Sequence, residues 1–209
     1  MTDRPVAVLI GPPGAGKSTV GPLLAALLGA EFIETDQMVE GAAGKPVSDI
    51  FVTDGEPAFR GLERAAVARA LEQHPGIVAL GGGAVMDPQT RERLDRRRVV
   101  YLQTGFAAAV RRVGLDSPRP LLRVNPRARM RELLAERLPV YESLARITVA
   151  TDDRDPQEIA DEIAAAVTAR IAAAAGEGAG SGPEDGEWAG EWDEGGAGPL
   201  PAPPPATAP

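Results

Sequence analysis

Short apolar runs recur along the first three quarters of the chain, and apolar residues return at helical spacing between them. A short unbroken apolar run is typical of a buried parallel strand, because neighbouring elements cover both of its faces. The runs predict five strands, at residues 6–10, 31–36, 77–80, 99–102 and 147–150. The stretches between them predict helices at residues 20–28, 38–51 (two short helices), 53–74, 88–97, 105–113, 126–145 and from 155 onward. Strands that alternate with helices predict a parallel sheet with helices on both faces.

Several predicted helices carry residues that typically cap or start a helix. Asp54 is the predicted N-cap of the long helix at 53–74, because its carboxylate can accept hydrogen bonds from free backbone N–H groups. Asp155 is the predicted N-cap of the last helix, with Pro156 at the first helical position and Glu158 as reciprocal cap. The helix at 126–145 is predicted to turn three leucines inward, Leu133, Leu134 and Leu138.

Residues 11–19, which read GPPGAGKST, lie between the first predicted strand and the first predicted helix. Closely spaced glycines let the backbone curl until several N–H groups point at one centre, where the helix N-terminus adds partial positive charge. Lys17 supplies a full charge for the β- and γ-phosphates of a nucleotide, and the Ser18 hydroxyl can ligate Mg²⁺. The alternative is a glycine-rich turn that merely begins a helix, but the strand before it favours a phosphate site. The predicted nucleotide contacts are Gly14, Ala15, Gly16, Lys17, Ser18 and Thr19.

Acids and glycines follow the next two predicted strands. Glu34 and Asp36 end the second strand, and Gly81, Gly82 and Gly83 follow the third. Because ligands bind at the carboxyl ends of the strands in an open parallel sheet, we expect these groups to meet the phosphate loop in one crevice. The acids are candidates for orienting Mg²⁺ or its waters, and the glycines let backbone approach a ligand closely. Read singly, the acids could merely end a strand and the glycines could form a turn.

Three arginines lie outside ordinary helix faces and suit recognition of a carboxylate or a phosphate. Arg60 follows a phenylalanine at a predicted helix start, Arg119 lies between two prolines, and Arg137 precedes Leu-Pro-Val-Tyr. Read singly, each is more typical of an ion-paired surface residue, and Glu63 is a candidate structural partner of Arg60 on the same helix face. The single histidine, His74, is predicted at the surface near the opposite end of the third strand, so no Ser-His-Asp system can be built at the crevice.

The acidity of the chain belongs to its C-terminal tail. The 209 residues carry a net charge of −8, but residues 175–209 hold seven acids and no base, which leaves 23 acids against 22 bases in the rest. A near-neutral body gives no support for nucleic-acid binding. The tail is rich in Gly, Ala and Pro, and we expect it to be disordered because it cannot bury enough apolar surface to offset its ordering entropy.

Length and cysteine content restrict the class of protein further. A chain of 209 residues can bury a substantial core without disulfides, and the absence of cysteine excludes both disulfides and thiolate metal sites. No signal peptide is visible and no apolar run reaches membrane-spanning length. We therefore expect a cytoplasmic protein that does not contact a membrane.

Together these segments resemble the shikimate kinase family, in its order and spacing over roughly residues 5–172. The matching pieces are the loop at 11–19, Thr35-Asp36, Asp54-Gly55-Glu56 with Phe59-Arg60, Gly81-Gly82-Gly83-Ala84-Val85, Arg119-Pro120-Leu121-Leu122, and Arg137 with Tyr141. The composition resembles that of actinobacterial members. The resemblance implies a three-layer α/β/α P-loop kinase of the nucleoside monophosphate kinase-like fold. Such a fold has a five-stranded parallel sheet, a mobile lid and a small substrate-binding helical subdomain.

The resemblance also implies an activity, the transfer of the γ-phosphate of ATP to the 3-hydroxyl of shikimate in aromatic amino-acid synthesis. Mg²⁺ is the implied cofactor, ATP and shikimate are the implied partners, and a monomer is expected. The implied organisation is a kinase domain at residues 1–174, with a substrate-binding region at about 34–63 and a lid at about 112–125, before the tail at 175–209.

Roles for single residues follow from the same resemblance. Asp36 would hold the shikimate hydroxyls and assist proton removal, and Arg119 of the lid would join Lys17 at the phosphates. The shikimate carboxylate and ring are assigned to Arg60, Gly81, Gly82, Gly83 and Arg137. Arg112 and Arg154 fall where the family contacts adenine, although Arg154 fits a helix cap equally well. Ser18 and Glu34 are implied at the metal; the family usually has Asp in place of Glu34, which leaves open whether the contact is direct or through water.

Two other functions stay open at this point. Another small-molecule P-loop kinase, of the gluconate or nucleoside monophosphate type, would share the phosphate loop. Paired arginines with an aspartate, however, suit an acceptor that has both a carboxylate and hydroxyls. A non-catalytic module, in which the acidic tail recruits a partner, would leave the nucleotide site without a reaction.

Overall fold

The computed structural model describes residues 5–113 and 126–177 of the chain. Its strands are β1 (Ala7–Ile10), β2 (Phe32–Glu34), β3 (Ile77–Ala79), β4 (Val99–Gln103) and β5 (Ile147–Ala150). In this part of the chain the strands form one parallel sheet in the order β2-β3-β1-β4-β5, with β1 at the centre. The predicted five-stranded parallel sheet is confirmed, and each predicted apolar run overlaps one of the strands.

Eight α-helices within the described residues connect and cover the strands. They are α1 (Lys17–Leu27), α2 (Thr35–Ala43), α3 (Val47–Thr53), α4 (Glu56–Gln73), α5 (Pro88–Leu94), α6 (Phe106–Val113), α7 (Pro126–Leu144) and α8 (Pro156–Glu177). A short 3₁₀-helix at Ala84–Met86 follows β3. None of these helices is long and apolar enough to cross a membrane.

Alternate residues of the central strand face two separate cores, as the pleat of a strand requires. Leu9 belongs to the core that α1 and α8 cover, where Leu24 and Ile163 are fully buried. Val8 belongs to the opposite core, where α4, α5 and α7 contribute Val67, Leu71, Leu94 and Tyr141. The sheet is therefore the middle of three layers, which confirms the predicted α/β/α architecture.

A third, smaller core lies beside the sheet, within the segment predicted as the substrate-binding region. It joins α2, α3 and α4 through Val39, Ile50, Phe59 and Ala66. The Phe51 and Phe59 rings pack with their centroids 4.5 Å apart. This core anchors the first turns of α4, which carry Arg60.

The start of α4 corrects one prediction. Asp54 is not its N-cap: Gly55 is, with a φ of 85° that favours glycine. The Asp54 carboxylate instead lies 2.6 Å from Lys45 Nζ, and hydrogen bonds from Lys45 and Thr53 lower its pKa. A tertiary ion pair therefore holds Asp54 away from the helix end.

Other boundaries also differ from their predictions. Thr35 and Asp36 begin α2 rather than end β2, and α5 ends at Leu94, a few residues earlier than predicted. Helix α8 runs to Glu177, slightly beyond the predicted start of the tail. At the start of α8, Asp155 accepts a hydrogen bond from the Gln157 N–H at 2.7 Å, which confirms it as a capping residue.

Helix α7 buries Leu133 as predicted and Leu134 in part, but it does not bury Leu138. Leu133 is buried, but Leu138 is 40% exposed, and its neighbour Arg137 is only 6% exposed. The hydrophobic ranking of side chains predicts the reverse. Because charged groups are buried only where they find partners, a buried arginine marks this face as a candidate site.

The contact between α1 and β2 depends on a glycine. A methyl group at Gly21 of α1 would collide with the Phe32 ring of β2, whereas a methyl group at Gly41 of α2 would meet no atom within 4 Å. We predict that Gly21→Ala lowers the free energy of unfolding by about 1–3 kcal/mol, through overpacking. Gly41→Ala, the matched control, should raise it by up to about 1 kcal/mol, because alanine favours helix. Urea unfolding measures both, and equal changes in the two variants would contradict the proposed packing.

Candidate functional site

The phosphate loop joins β1 to α1 at the carboxyl edge of the sheet. Gly14 has a φ of 82° and lies so close to α6 that a Cβ there would come within 2.7 Å of the Ala109 carbonyl oxygen. Gly16, the N-cap of α1, has a φ of 96°. The Lys17 ammonium donates to the carbonyls of Gly11 at 2.7 Å and Pro12 at 3.1 Å, so it lies across the loop. Backbone N–H groups, a helix N-terminus and a cation thus share one site, which suits an anion.

The Ser18 hydroxyl and the Glu34 carboxylate lie together at the start of α1. The Ser18 hydroxyl donates to Glu34 Oε1 at 2.5 Å, and Gln37 Nε2 donates to the other carboxylate oxygen at 3.3 Å. The described residues contain no group of three or more acids or histidines that could hold a metal by itself. Because Mg²⁺ prefers oxygen ligands and keeps waters and phosphate oxygens, one hydroxyl and one carboxylate are a donor set that fits it.

The turn after β3 makes close contacts with the side chains around it. The Gly81 N–H donates to the buried Thr35 hydroxyl at 3.0 Å, and a Cβ on Gly81 would collide with the Asp36 carboxylate. A Cβ on Gly82 would lie 2.9 Å from Pro13 Cδ, and one on Gly83 would lie 2.8 Å from Arg60 Nη1. The turn therefore touches the phosphate loop on one side and Arg60 on the other.

Arg60 is held by two carboxylates of its own helix. Its Nη1 donates to Glu63 at 2.6 Å and its Nη2 to Glu56 at 3.0 Å, so the predicted partnership with Glu63 is confirmed. Burial raises the pKa of the Glu63 carboxyl, and the Arg60 charge opposes that rise. Burial alone would lower the pKa of Arg60, but the adjoining carboxylates outweigh it and the pKa of Arg60 is raised. Arg60 therefore stays charged although it is half-buried.

Arg137 reaches the same turn from α7. Its Nη1 donates to the Gly82 carbonyl at 3.0 Å, and its buried Nε has no hydrogen-bond partner among the described residues. Arg60 and Arg137 both line a cavity of about 370 Å³, together with Gly83 and Leu133. A third arginine also lines the cavity, and so do four carboxylates: Arg64 with Glu56, Glu63, Asp87 and Glu136. Arg64 pairs with Asp87 at 3.3 Å, so Arg60 and Arg137, which adjoin the glycine turn, are the guanidinium groups that suit a small carboxylate.

A second cavity, of about 360 Å³, opens on the phosphate loop. The predicted residues that line it are Gly14, Gly16, Lys17, Ser18, Thr19, Glu34, Asp36, Gly81, Gly82 and Arg112. We call it the phosphate cavity, and we call the one that contains Arg60 and Arg137 the arginine cavity. Gly82 lines the first and Gly83 the second, so the glycine turn is the boundary between them.

The two arginines assigned to adenine are held differently. Arg112 donates to the Thr151 hydroxyl at 3.0 Å, to the Thr151 carbonyl, and to the Gly14 carbonyl at 3.3 Å, so it lies beside the phosphate loop. Arg154 donates to the Ala150 carbonyl at 3.1 Å and pairs with Glu162 at 2.7 Å. In the described part of the chain, Arg154 lines neither cavity.

The predictions for the lid and for His74 have different outcomes. Arg119 and most of the predicted lid lie outside the described residues. His74 lies at the amino end of β3, as predicted, with Nε2 3.3 Å from the Glu31 carbonyl oxygen. Sequence reasoning quoted Thr35, which contacts the glycine turn, only as part of a motif, and it did not single out Thr151, which contacts Arg112. A threonine directly after a predicted strand is the signal that could have found Thr151.

Comparisons with known proteins by family model, by sequence and by structure all match shikimate kinases. The sequence model of the shikimate kinase family matches residues 13–168. A shikimate kinase from Thermobifida fusca is 60% identical over 161 residues, which are 77% of this chain and 94% of that protein. One from Salinispora arenicola is 56% identical over 158 residues, which are 76% of this chain and 95% of that protein. The solved shikimate kinase from Acinetobacter baumannii, in complex with shikimate, has a TM-score of 0.75 and 34% identity, covering 80% of this chain and 96% of that one.

The Glu63–Arg60 pair predicts a measurable loss of stability. Glu63→Gln would leave the half-buried Arg60 with one carboxylate fewer, and we expect the free energy of unfolding to fall by about 1–3 kcal/mol. Glu72→Gln is the matched control, because Glu72 pairs with Arg93 at 2.5 Å on the surface. The control should change stability by less than about 1 kcal/mol. Chemical denaturation at pH 7 compares them, and an equal loss in both variants would show that burial of the pair is unimportant.

Proposed function

The chain belongs to the shikimate kinase family, and we propose that its two adjoining cavities hold the two substrates of the family reaction. That reaction transfers a phosphoryl group from ATP to a shikimate hydroxyl, in aromatic amino-acid synthesis. The observation that carries the proposal is the glycine turn at 81–83, which separates the phosphate cavity from the arginine cavity. The products are ADP and shikimate 3-phosphate.

On the nucleotide side, the phosphate loop binds the ATP phosphates through backbone N–H groups and Lys17. Lys17 already lies across the loop, so its charge is in place before a ligand arrives. Ser18 and Glu34 would hold Mg²⁺, which neutralises phosphate charge when it is bound. Arg112, beside Gly14, contacts the nucleotide at the other end of the phosphate cavity.

On the acceptor side, Arg60 and Arg137 bind the shikimate carboxylate. Their positive charges come from α4 and α7, so a carboxylate between them is held from two directions. Asp36, which touches Gly81 and lines the phosphate cavity, binds the shikimate hydroxyls and assists removal of the proton from the reacting one. The acceptor oxygen then lies beside Asp36 and faces the γ-phosphorus in the phosphate cavity.

Phosphoryl transfer from ATP to shikimate depends mainly on the alignment of the two substrates and on stabilisation of negative charge. A bond forms between the 3-oxygen of shikimate and the γ-phosphorus, the bond from that phosphorus to the bridging oxygen of ADP breaks, and the hydroxyl proton leaves. The protein forms no covalent bond to either substrate in such a transfer, so charge stabilisation and alignment dominate its catalysis. We assign the exclusion of water, which would compete as acceptor, to the lid at about 112–125 with Arg119.

The domain organisation follows the same proposal. We place the kinase domain at residues 1–174, and the match to the family model, at residues 13–168, supports that limit. The acidic tail at 175–209 lies outside the region that matches the family, and we assign it no part in catalysis.

An acceptor panel tests the proposed function directly. Purified protein with ATP and Mg²⁺ should release ADP with shikimate, and much more slowly with gluconate or nucleoside monophosphates. The reason is that two arginines and an aspartate match one carboxylate and several hydroxyls, while the relatives at 60% and 56% identity are shikimate kinases. A coupled ADP-release assay measures all acceptors under the same conditions. Phosphorylation of another acceptor without phosphorylation of shikimate would refute the proposal.

A pair of variants separates the two cavities. Arg60→Ala should raise the KM for shikimate strongly and leave the KM for ATP nearly unchanged, because Arg60 lines the arginine cavity. Lys17→Ala should instead lower turnover by on the order of 10² or more, because its charge acts on the phosphates. Steady-state kinetics with each substrate varied in turn measure both effects.

The chain offers matched controls for both variants. Arg69 lies on the exposed face of α4, where its Nε donates to Gln73, so Arg69→Ala should leave both KM values unchanged. Lys45 pairs with Asp54 outside both cavities, so Lys45→Ala should retain turnover. Equal damage to ATP and shikimate binding in Arg60→Ala would place this arginine at the phosphates instead.

A further inference from the structure

The Gly82 carbonyl oxygen accepts two hydrogen bonds from α7. Arg137 Nη1 donates to it at 3.0 Å and the Tyr141 hydroxyl donates at 2.5 Å. A carbonyl oxygen has two lone pairs, so these bonds occupy its accepting capacity. The residue that carries this carbonyl lies at the boundary between the phosphate and arginine cavities.

The two bonds fix the orientation of one peptide plane. In a trans peptide, the Gly82 C=O and the Gly83 N–H point to opposite sides of the same plane. Holding the carbonyl towards α7 therefore turns the Gly83 N–H away from α7. Glycine has unusual freedom to rotate its backbone, so a turn of three glycines needs such an external constraint to keep one conformation.

Tyr141 is a suitable donor for this role. It is 1% exposed, and burial raises the pKa of its phenol, so the hydroxyl keeps its proton. Its ring stacks on the Tyr101 ring of β4, with centroids 5.2 Å apart and planes 18° apart. The ring is thereby fixed to the central sheet, and the hydroxyl at its end has little freedom to move.

The same carbonyl also positions Arg137. A guanidinium group has five N–H donors, and the bond to Gly82 uses one of them. The Nε–H is buried and has no partner among the described residues, so a ligand in the cavity would meet the Nη groups of Arg137 instead. The Tyr141 hydroxyl also lies close to the Arg137 guanidinium, so the Gly82 carbonyl and the phenol together set the angle of that group in the cavity.

We propose that Tyr141 is a positioning residue for the acceptor: its hydroxyl fixes the Gly82 carbonyl, which in turn orients both the glycine turn and the Arg137 guanidinium. This inference rests on the proposed function, in which the arginine cavity binds the shikimate carboxylate. Tyr141 acts through Gly82 and Arg137, not by contact with shikimate. A purely structural role would need the ring alone, and phenylalanine would supply that ring equally well.

The test compares two single-hydroxyl deletions in one aromatic stack. Tyr141→Phe removes the bond to Gly82, and Tyr101→Phe removes a hydroxyl from the ring that stacks on it. For Tyr141→Phe we expect a roughly three- to tenfold rise in the KM and Kd for shikimate, the range for loss of one hydrogen bond. The KM for ATP should stay within about twofold of wild type, because the phosphate loop keeps its own contacts. Tyr101→Phe should leave the KM values for both substrates unchanged.

Three results would overturn the inference. The first is a wild-type KM for shikimate in Tyr141→Phe, and the second is an equal rise in the KM values for ATP and shikimate. The third is an equal rise in the shikimate KM of Tyr101→Phe, which would indicate a general effect of the stack. Thermal unfolding of both variants identifies any loss of folded protein, which would raise no KM but lower the active fraction.

Failure of the proposed function gives a different result. Wild-type protein that phosphorylates some other acceptor instead of shikimate would refute the assignment of the substrate. The ratio of the KM for that acceptor between Tyr141→Phe and wild type would still decide the role of Tyr141.

Discussion

A parallel sheet ends all of its strands at one edge, and the rest of this structure depends on that constraint. β1 pairs with β3 and β4, and β3 pairs with β2, so three consecutive carboxyl ends lie side by side. The segments that follow them are the phosphate loop at 11–19, the Glu34–Asp36 segment and the glycine turn at 81–83. Residues far apart in the chain thus reach one crevice, because each of these segments begins where its strand ends.

Charge is the second requirement, because both substrates of the family reaction are anions. The protein meets it with backbone N–H groups and Lys17 on one side of the glycine turn and with two arginines on the other. Arg60 is kept charged by Glu56 and Glu63, and Arg137 is packed into α7 with the Gly82 carbonyl as its partner. Because repulsion between cations would push these groups apart, the carboxylates and carbonyls that hold them are part of the site.

Local signals in the sequence predicted most of the fold, while the site residues stay a prediction, although most of the described ones line one of the two cavities. Glycine spacing, a strand and a helix define the phosphate loop, and these are features of neighbouring residues. The strand order was not predicted, since it depends on contacts between distant segments. Two local predictions were wrong because tertiary contacts outweigh local signals. Asp54 pairs with Lys45 instead of capping α4, and Arg137 rather than Leu138 is buried on α7. The two hydrogen bonds that the Gly82 carbonyl accepts have no local signal in the sequence, because the donors, Arg137 and Tyr141, are more than fifty residues away.

The central claim is that the glycine turn separates the nucleotide from the acceptor and presents one to the other. A crystal structure of the protein with shikimate and a non-hydrolysable ATP analogue tests it most directly. The account predicts the shikimate carboxylate within hydrogen-bond distance of Arg60 and Arg137. It also predicts the 3-hydroxyl facing the terminal phosphate at Lys17, across the turn at 81–83. Shikimate bound outside the arginine cavity, or with its carboxylate at Lys17, would contradict the account.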